Sequence, residues 1–379
     1  MTATTGRFLF ASGESHPDLL YATGIPTPDP FLWFHVPGTA PAAVLNPLEL
    51  GRARKVAKPG LTVLSEHEAR EHYAVAKEQP ATAVNLLAAI ARRHGLTGWE
   101  TSADCPLRLA RALEKAGMGV EPVLPFFPER EIKSPDEITA VRDGVRLAER
   151  GLDAALAMIR AAAIRPDGML ELAGQILTAE AVRGEICAVI ARAGGLAAHT
   201  IVAPGPQGAD PHARGDGPLR AGEPIVMDIF PRVEATGYFG DLTRTVVRGQ
   251  ASDQVRRAFA AVQAAQEAAR RTVRAGVPGR DVHQAAAAAL DAAGFPTDLK
   301  AEPPVGFIHG LGHGLGLEVH EAPRCNRIAA DPLRPGQVIT LEPGLYDPAW
   351  GGIRLEDVVA VTETGCETLT NAAIFLEIP

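Results

Sequence analysis

The sequence predicts an α+β protein in two parts: a smaller α/β unit over residues 1–130, then a larger domain over residues 131–379 made of two pseudo-symmetric α/β halves. Three observations predict it. Short apolar runs alternate with helical stretches in the first part, a strong helix start stands at Ser134, and two later segments repeat one pattern of helix, turn, helix and paired acidic strands.

In the first part, Ala43–Leu45 and Leu61–Leu64 read as strands, and Ala81–His94 and Pro106–Ala116 as helices. The boundary falls just before Ser134, which is the N-cap of a helix with Pro135 at its first position and Glu137 three residues after the cap. Ile138, Val141, Val145, Ala148, Leu152, Ala155 and Ile159 recur at steps of three and four, so one face of a long helix is buried. The repeat sets MIRAAAIRPDGMLELAGQIL, from Met158, beside TVRAGVPGRDVHQAAAAALD, from Thr272; each reads as a helix end, a turn and a second helix. Two strand-like runs with acidic residues follow each copy. IVMDIF and GDLTRTVV hold Asp228 and Asp241; VITLEP and GIRLEDVVAV hold Glu342 and Glu356.

Composition narrows the class. Of 379 residues 46% are hydrophobic and 22% charged, which suits a folded chain and excludes a disordered one. A net charge of -8 opposes nucleic acid or an anionic membrane as partner, since neutralising phosphates needs a basic face. No run approaches a membrane span, and Phe8–Ala11 is too short for a signal-peptide core. The four cysteines lie far apart with no CxxC, which fits a reduced, cytoplasmic setting.

Asp228 lies inside the apolar run Ile225–Phe230, and Glu342 follows Val338–Leu341; an ionised side chain is costly at such positions without a partner. One such acid alone reads as a strand-end residue facing water. Four in paired hairpins of matching halves point to one cleft, where two divalent cations would balance their charge. Between the pairs, FIHGLGHGLGLEVHEAP places His309, His313 and His320 within twelve residues. Its alternate glycines oppose a helix, and no Lys-Ser/Thr follows to make a phosphate loop.

These segments, in this order, resemble the pita-bread metallopeptidases, the family of prolidase, aminopeptidase P and methionine aminopeptidase. The stretches EIKSPDEI and HPDLLYATGIPTPDPFLW resemble the creatinase-like N-terminal domain of prolidase and aminopeptidase P, which methionine aminopeptidases lack. The resemblance implies a pita-bread catalytic domain at 131–379 behind a creatinase-like domain at 1–130. It implies metal ligands at Asp228, Asp241, His313, Glu342 and Glu356, with Asp241 and Glu356 bridging two divalent ions. One imidazole and four carboxylates suit Mn(II), Co(II) or Fe(II) at least as well as Zn(II), and the resemblance puts Mn(II) first. Glu342 would also take the proton of the attacking water. His212, in APGPQGADPHA, and His320 would hydrogen-bond the scissile group, and His309 would line the site beside the residue after the cut. By the period of two, Arg354 shares the face of Glu356 and supports the site, whereas Asp357 points away and reads as structural.

The implied activity is hydrolysis of the bond between an N-terminal residue and proline by metal-bound hydroxide, on a dipeptide or short peptide, in a homodimer. Alternatives are an aminopeptidase of the same fold without a proline requirement and an inactive peptide-binding module. Creatinase shares the fold but lacks the ligands. One departure stands out: Asp228 and Asp241 are thirteen apart, where prolidase-type members usually have eleven. Two extra residues lengthen the hairpin by one per strand and keep both side chains on one face.

Overall fold

The computed structural model describes residues 4–76 and 82–379. It divides into two compact units, residues 1–130 and 131–379. The first holds a six-stranded sheet in the spatial order Thr62–Ser65, Ala42–Leu45, Pro30–His35, Thr5–Ser12, Gly98–Ser102, Gly119–Val123. The central pairs are antiparallel and both flanks parallel, because helices Pro47–Val56 and Leu107–Lys115 carry the outer crossovers. Helix Ala83–His94 starts on the Thr82 hydroxyl and ends at Gly95 (φ 67). Ala81, where the periodicity starts that helix, lies outside the described residues.

The second unit opens with the helix Pro135–Ala161, capped as its sequence requires: Ser134 accepts from the Glu137 N–H, and the Glu137 side chain returns to the Ser134 N–H. Val141, Val145, Ala148, Leu152, Ala155 and Ile159 are all buried along one stripe, each contributing on the order of 1 to 3 kcal/mol if large and aliphatic. Gly144 on this helix meets Gly240: a β-carbon on Gly144 would lie 2.4 Å from the Gly240 nitrogen. Backbone therefore touches backbone one residue before Asp241.

Each half packs a helix pair on a hairpin that carries two carboxylates. In the first half, Pro135–Ala161 packs on Ala179–Arg192, and the sheet runs Ile201–Pro204, Pro224–Asp228, Thr243–Arg248, Glu377–Ile378. In the second, Asp253–Thr272 packs on Gly279–Ala292, and the sheet runs Glu321–Cys325, Gly312–Gly314, Val338–Leu341, Asp357–Val361, Cys366–Thr368. The two copies of the repeat differ in one respect. The stretch from Gly168 to Leu177, which the repeat reads as leading into a helix, forms small strands, and the helix starts only at Ala179. The Asp167 carboxylate accepts the Met169 N–H, Leu170 N–H donates to Leu219 O, Leu177 N–H to Leu170 O and Leu219 N–H to Leu177 O, so the segment is tied into a ladder before a helix can begin. Among the described residues no helix is long and apolar enough to cross a membrane.

Candidate metal centre

Register places the carboxylates. Asp228 pairs with Thr243, and the ladder continues past it: Ile229 donates to Leu242 O, Gly240 to Pro231 O and Val233 to Tyr238 O. Asp241 thus stands two residues before the partner of Asp228, diagonal to it on the same face. The extra length of PRVEATG is absorbed as hairpin, and Arg232–Val233 pairs with Gly195–Leu196. In the other half Leu341 pairs with Asp357 and Gly344 with Arg354, which sets Glu342 and Glu356 opposite one another. The halves then join: Glu356 N–H donates to Thr243 O at 3.0 Å, and Arg354 N–H to the Thr245 hydroxyl at 3.0 Å.

His313 comes from the strand Gly312–Gly314, which is squeezed between two neighbours. A β-carbon on Gly312 would meet Thr340 O at 2.0 Å, and one on Gly314 would meet Ala322 O at 2.1 Å, so only glycines let His313 reach its place. Its backbone N–H donates to the Thr340 hydroxyl, and its Nδ1 lies 3.1 Å from Gly314 O, leaving Nε2 turned to the acids. Nε2 is 3.3 Å from Glu342 Oε1 and 3.9 Å from Asp241 Oδ2.

Asp241, His313 and Glu356, all buried, each offer a ligand atom within 4.8 Å of the others. Glu356 accepts from the Thr243 hydroxyl at 2.7 Å through Oε2, while its Oε1 has no hydrogen-bond partner although buried. Asp228 repeats this arrangement: Oδ2 is held by Arg354 at 2.7 Å, and buried Oδ1 has no partner. Unpaired buried carboxylate oxygens are costly, and a cation is the group that satisfies both the lone pairs and the charge. The donor set therefore fits a divalent metal.

The electrostatics agree. Burial, reinforced by Asp228 and Glu342, pushes the Asp241 carboxyl well above its usual range, and burial with Asp241 does the same to Glu356. Burial also raises Asp228, against the pull of Arg354. For Glu342 burial is outweighed by the hydrogen bond and charge of His313, which hold it at about 2. His313 is raised in turn, since Glu342 and Asp241 overcome the cost of its burial.

A cleft of about 790 Å³ holds all these side chains together with His199, His212, His309, His320 and Arg324. His309 is fixed on both sides, Nδ1 against Gly310 O at 2.6 Å and Nε2 against the Tyr346 hydroxyl at 2.8 Å. Arg354 donates to that same hydroxyl at 2.9 Å. The rings of His313 and His320 stand edge to face at 4.4 Å, and desolvation, then His313, pushes His320 down. His212 is exposed at the rim, its N–H held by the Asp210 carboxylate. Asp357 points away from the cleft, onto Arg244 at 2.8 Å and Arg270 at 2.6 Å. Tyr346, Thr243 and Thr340 carry contacts that the sequence reading did not assign. The one available signal was that Thr243 lies two residues after Asp241 and so shares its face.

The model of metallopeptidase family M24 matches residues 139–363. The Mycobacterium tuberculosis protein named "Probable dipeptidase PepE" is 34% identical over 255 residues, which span 67% of this chain and 63% of that protein. The Xaa-Pro dipeptidase of Pyrococcus furiosus is 35% identical over 173 residues, 45% of this chain and 47% of that one. The chain thus matches less than two thirds of the length of these curated relatives. Among solved structures, the X-Pro aminopeptidase of Thermotoga maritima superposes with a TM-score of 0.81 at 23% identity, covering 99% of this chain and 97% of that one. This likeness shows the pita-bread fold. With the family model covering more than half its length, the chain belongs to metallopeptidase family M24.

Proposed function

We propose that the chain is an exopeptidase that uses two divalent metal ions to cleave the bond between an N-terminal residue and a following proline. The observation that carries this reading is the meeting of Asp241, His313 and Glu356, with the unpartnered oxygens of Asp228 and Glu356 beside them. Asp228, Asp241, His313, Glu342 and Glu356 would hold the ions. The donor set suits Mn(II), Co(II) or Fe(II) at least as well as Zn(II), and Mn(II) is the ion proposed. When bound, such ions provide a water nucleophile at neutral pH and polarise a carbonyl.

The remaining roles belong to side chains. Glu342 accepts the proton of the attacking water. His212 and His320, at the rim of the cleft, donate hydrogen bonds to the scissile group as negative charge develops on it. His309, immobilised by Tyr346 and Gly310, lines the space for the residue after the cut, and Arg354 orients Asp228. The proline preference is supported by the relatives named Xaa-Pro dipeptidase and X-Pro aminopeptidase. We also propose a homodimer, the commonest closed assembly, and a cytoplasmic setting, which four free cysteines support. Metal analysis with kinetics on Xaa-Pro and Xaa-Ala dipeptides tests the reading. Up to two ions per chain, loss of activity on chelation and a higher kcat/KM for Xaa-Pro are expected. Full activity without metal would defeat it, and a better Xaa-Ala substrate would defeat the proline assignment alone.

A further inference from the structure

Lys133 is nearly inaccessible, at 5%, yet carries an ammonium group. Its Nζ lies 2.9 Å from Oε2 of Glu321, itself 8% exposed. Such a pair is a poor source of net stability, because two charges lose their water to meet, so its presence asks for another reason. The reason lies in what the Glu321 carboxylate organises. Oε1 accepts the Glu318 N–H at 3.1 Å, the Gly316 N–H donates to Glu318 O at 3.1 Å, and Phe239 N–H donates to Gly316 O at 2.8 Å. A β-carbon on Gly316 would fall 2.6 Å from Glu321 Oε2, so the chain from Gly316 to His320 wraps the carboxylate closely. Lys133 in turn is anchored, its own N–H donating to Gly336 O at 2.8 Å. His320 leaves this turn directly before Glu321 and stands at the cleft, edge to face with His313.

We infer that Lys133 is a positioning residue: by pinning Glu321 it holds the Gly316–His320 turn and thereby places the His320 imidazole over the cleft. Its catalytic consequence rests on the proposed role of His320 toward substrate. Lys133 does not line the cleft and bonds to Glu321, not to the proposed ligands, so its removal leaves the metal in place and shows in kcat more than in KM.

The test uses the full chain loaded with Mn(II) and the dipeptide Ala-Pro. K133M alone removes the cation that meets the buried Glu321 carboxylate and lowers Tm. K133M/E321M replaces the pair by apolar side chains, restores Tm and keeps the metal content, but the Glu318 N–H has lost its side-chain acceptor. There kcat falls by about tenfold to a hundredfold, with KM within about twofold. K133R, which keeps a cation against Glu321 and leaves the carboxylate to accept the Glu318 N–H, retains most of kcat. In a His320→Ala background the K133M/E321M replacement has no further effect on kcat. Wild-type kcat in the restored double variant, or an undiminished loss in the His320→Ala background, overturns the inference. A second readout needs no turnover: the ring resonance of His320, identified by its absence in His320→Ala, shifts in K133M/E321M and keeps its place in K133R. An unshifted resonance also overturns the inference, whereas a chain that cleaves no Xaa-Pro peptide overturns the functional reading and leaves the resonance to decide the placement.

Discussion

Neutralising Asp241 should move stability and metal binding in opposite directions. Its carboxylate is 3% exposed, and its ligand atom lies within 4.8 Å of that of Glu356. Two full charges at that separation repel by about 3.5 kcal/mol at an effective dielectric near 20. Protonation relieves part of this in the metal-free chain, so Asp241→Asn should stabilise the apo protein by about 1 to 2 kcal/mol, or roughly 2–4 °C in Tm per kcal/mol. The same change removes one of the proposed metal ligands. With Mn(II) at a hundred times its Kd the wild-type chain gains about 2.7 kcal/mol, and the variant should gain almost nothing. Thermal melts in chelator and in excess Mn(II), with elemental analysis of both proteins, measure all four states. A variant that melts lower than wild type in chelator and still gains stability from Mn(II) would refute the account of Asp241 as a metal ligand.

Three further outcomes are expected. His212→Ala and His320→Ala should keep full metal content and lose about a hundredfold in kcat/KM; loss of metal by His320→Ala would make it a ligand. Gly240→Ala places a β-carbon 2.0 Å from Gly144 C, and should cost about 1 to 3 kcal/mol in a chemical melt together with weaker Mn(II) binding, because Asp241 moves with its neighbour. Asp357→Asn leaves Arg244 and Arg270 facing a neutral amide in a buried place and should cost about 3 to 5 kcal/mol in chelator, so unchanged stability there would contradict a structural role.

The parts of this molecule that could be read from the sequence are those governed by local rules. Ser134, Pro135 and Glu137 announce a helix because capping involves neighbours only, and Arg354 and Asp357 separate onto opposite faces because strand alternation is local. The acids and histidines were legible as a group because expensive residue types recur there in apolar surroundings. Tyr346 escaped notice because its hydroxyl meets His309 and Arg354 only after the second hairpin has closed. The Gly168–Leu177 stretch was misread for the same reason: its partner, Leu219, lies more than forty residues downstream.

Arg244 makes the two halves depend on each other. It stands on a first-half strand, yet donates to Glu356 O at 2.7 Å and to Asp357 at 2.8 Å in the second half, and to Ala372 O beyond them. Asp228 and Asp241 lie on one side of this tie, and His313, Glu342 and Glu356 on the other. A chain cut in the link between Arg248 and Asp253 would yield two fragments, one with two of the proposed ligands and the other with three. Neither should hold Mn(II) alone. Mixed, they should regain it only as the arginine finds its carbonyls, which makes metal uptake a direct signal for fragment complementation.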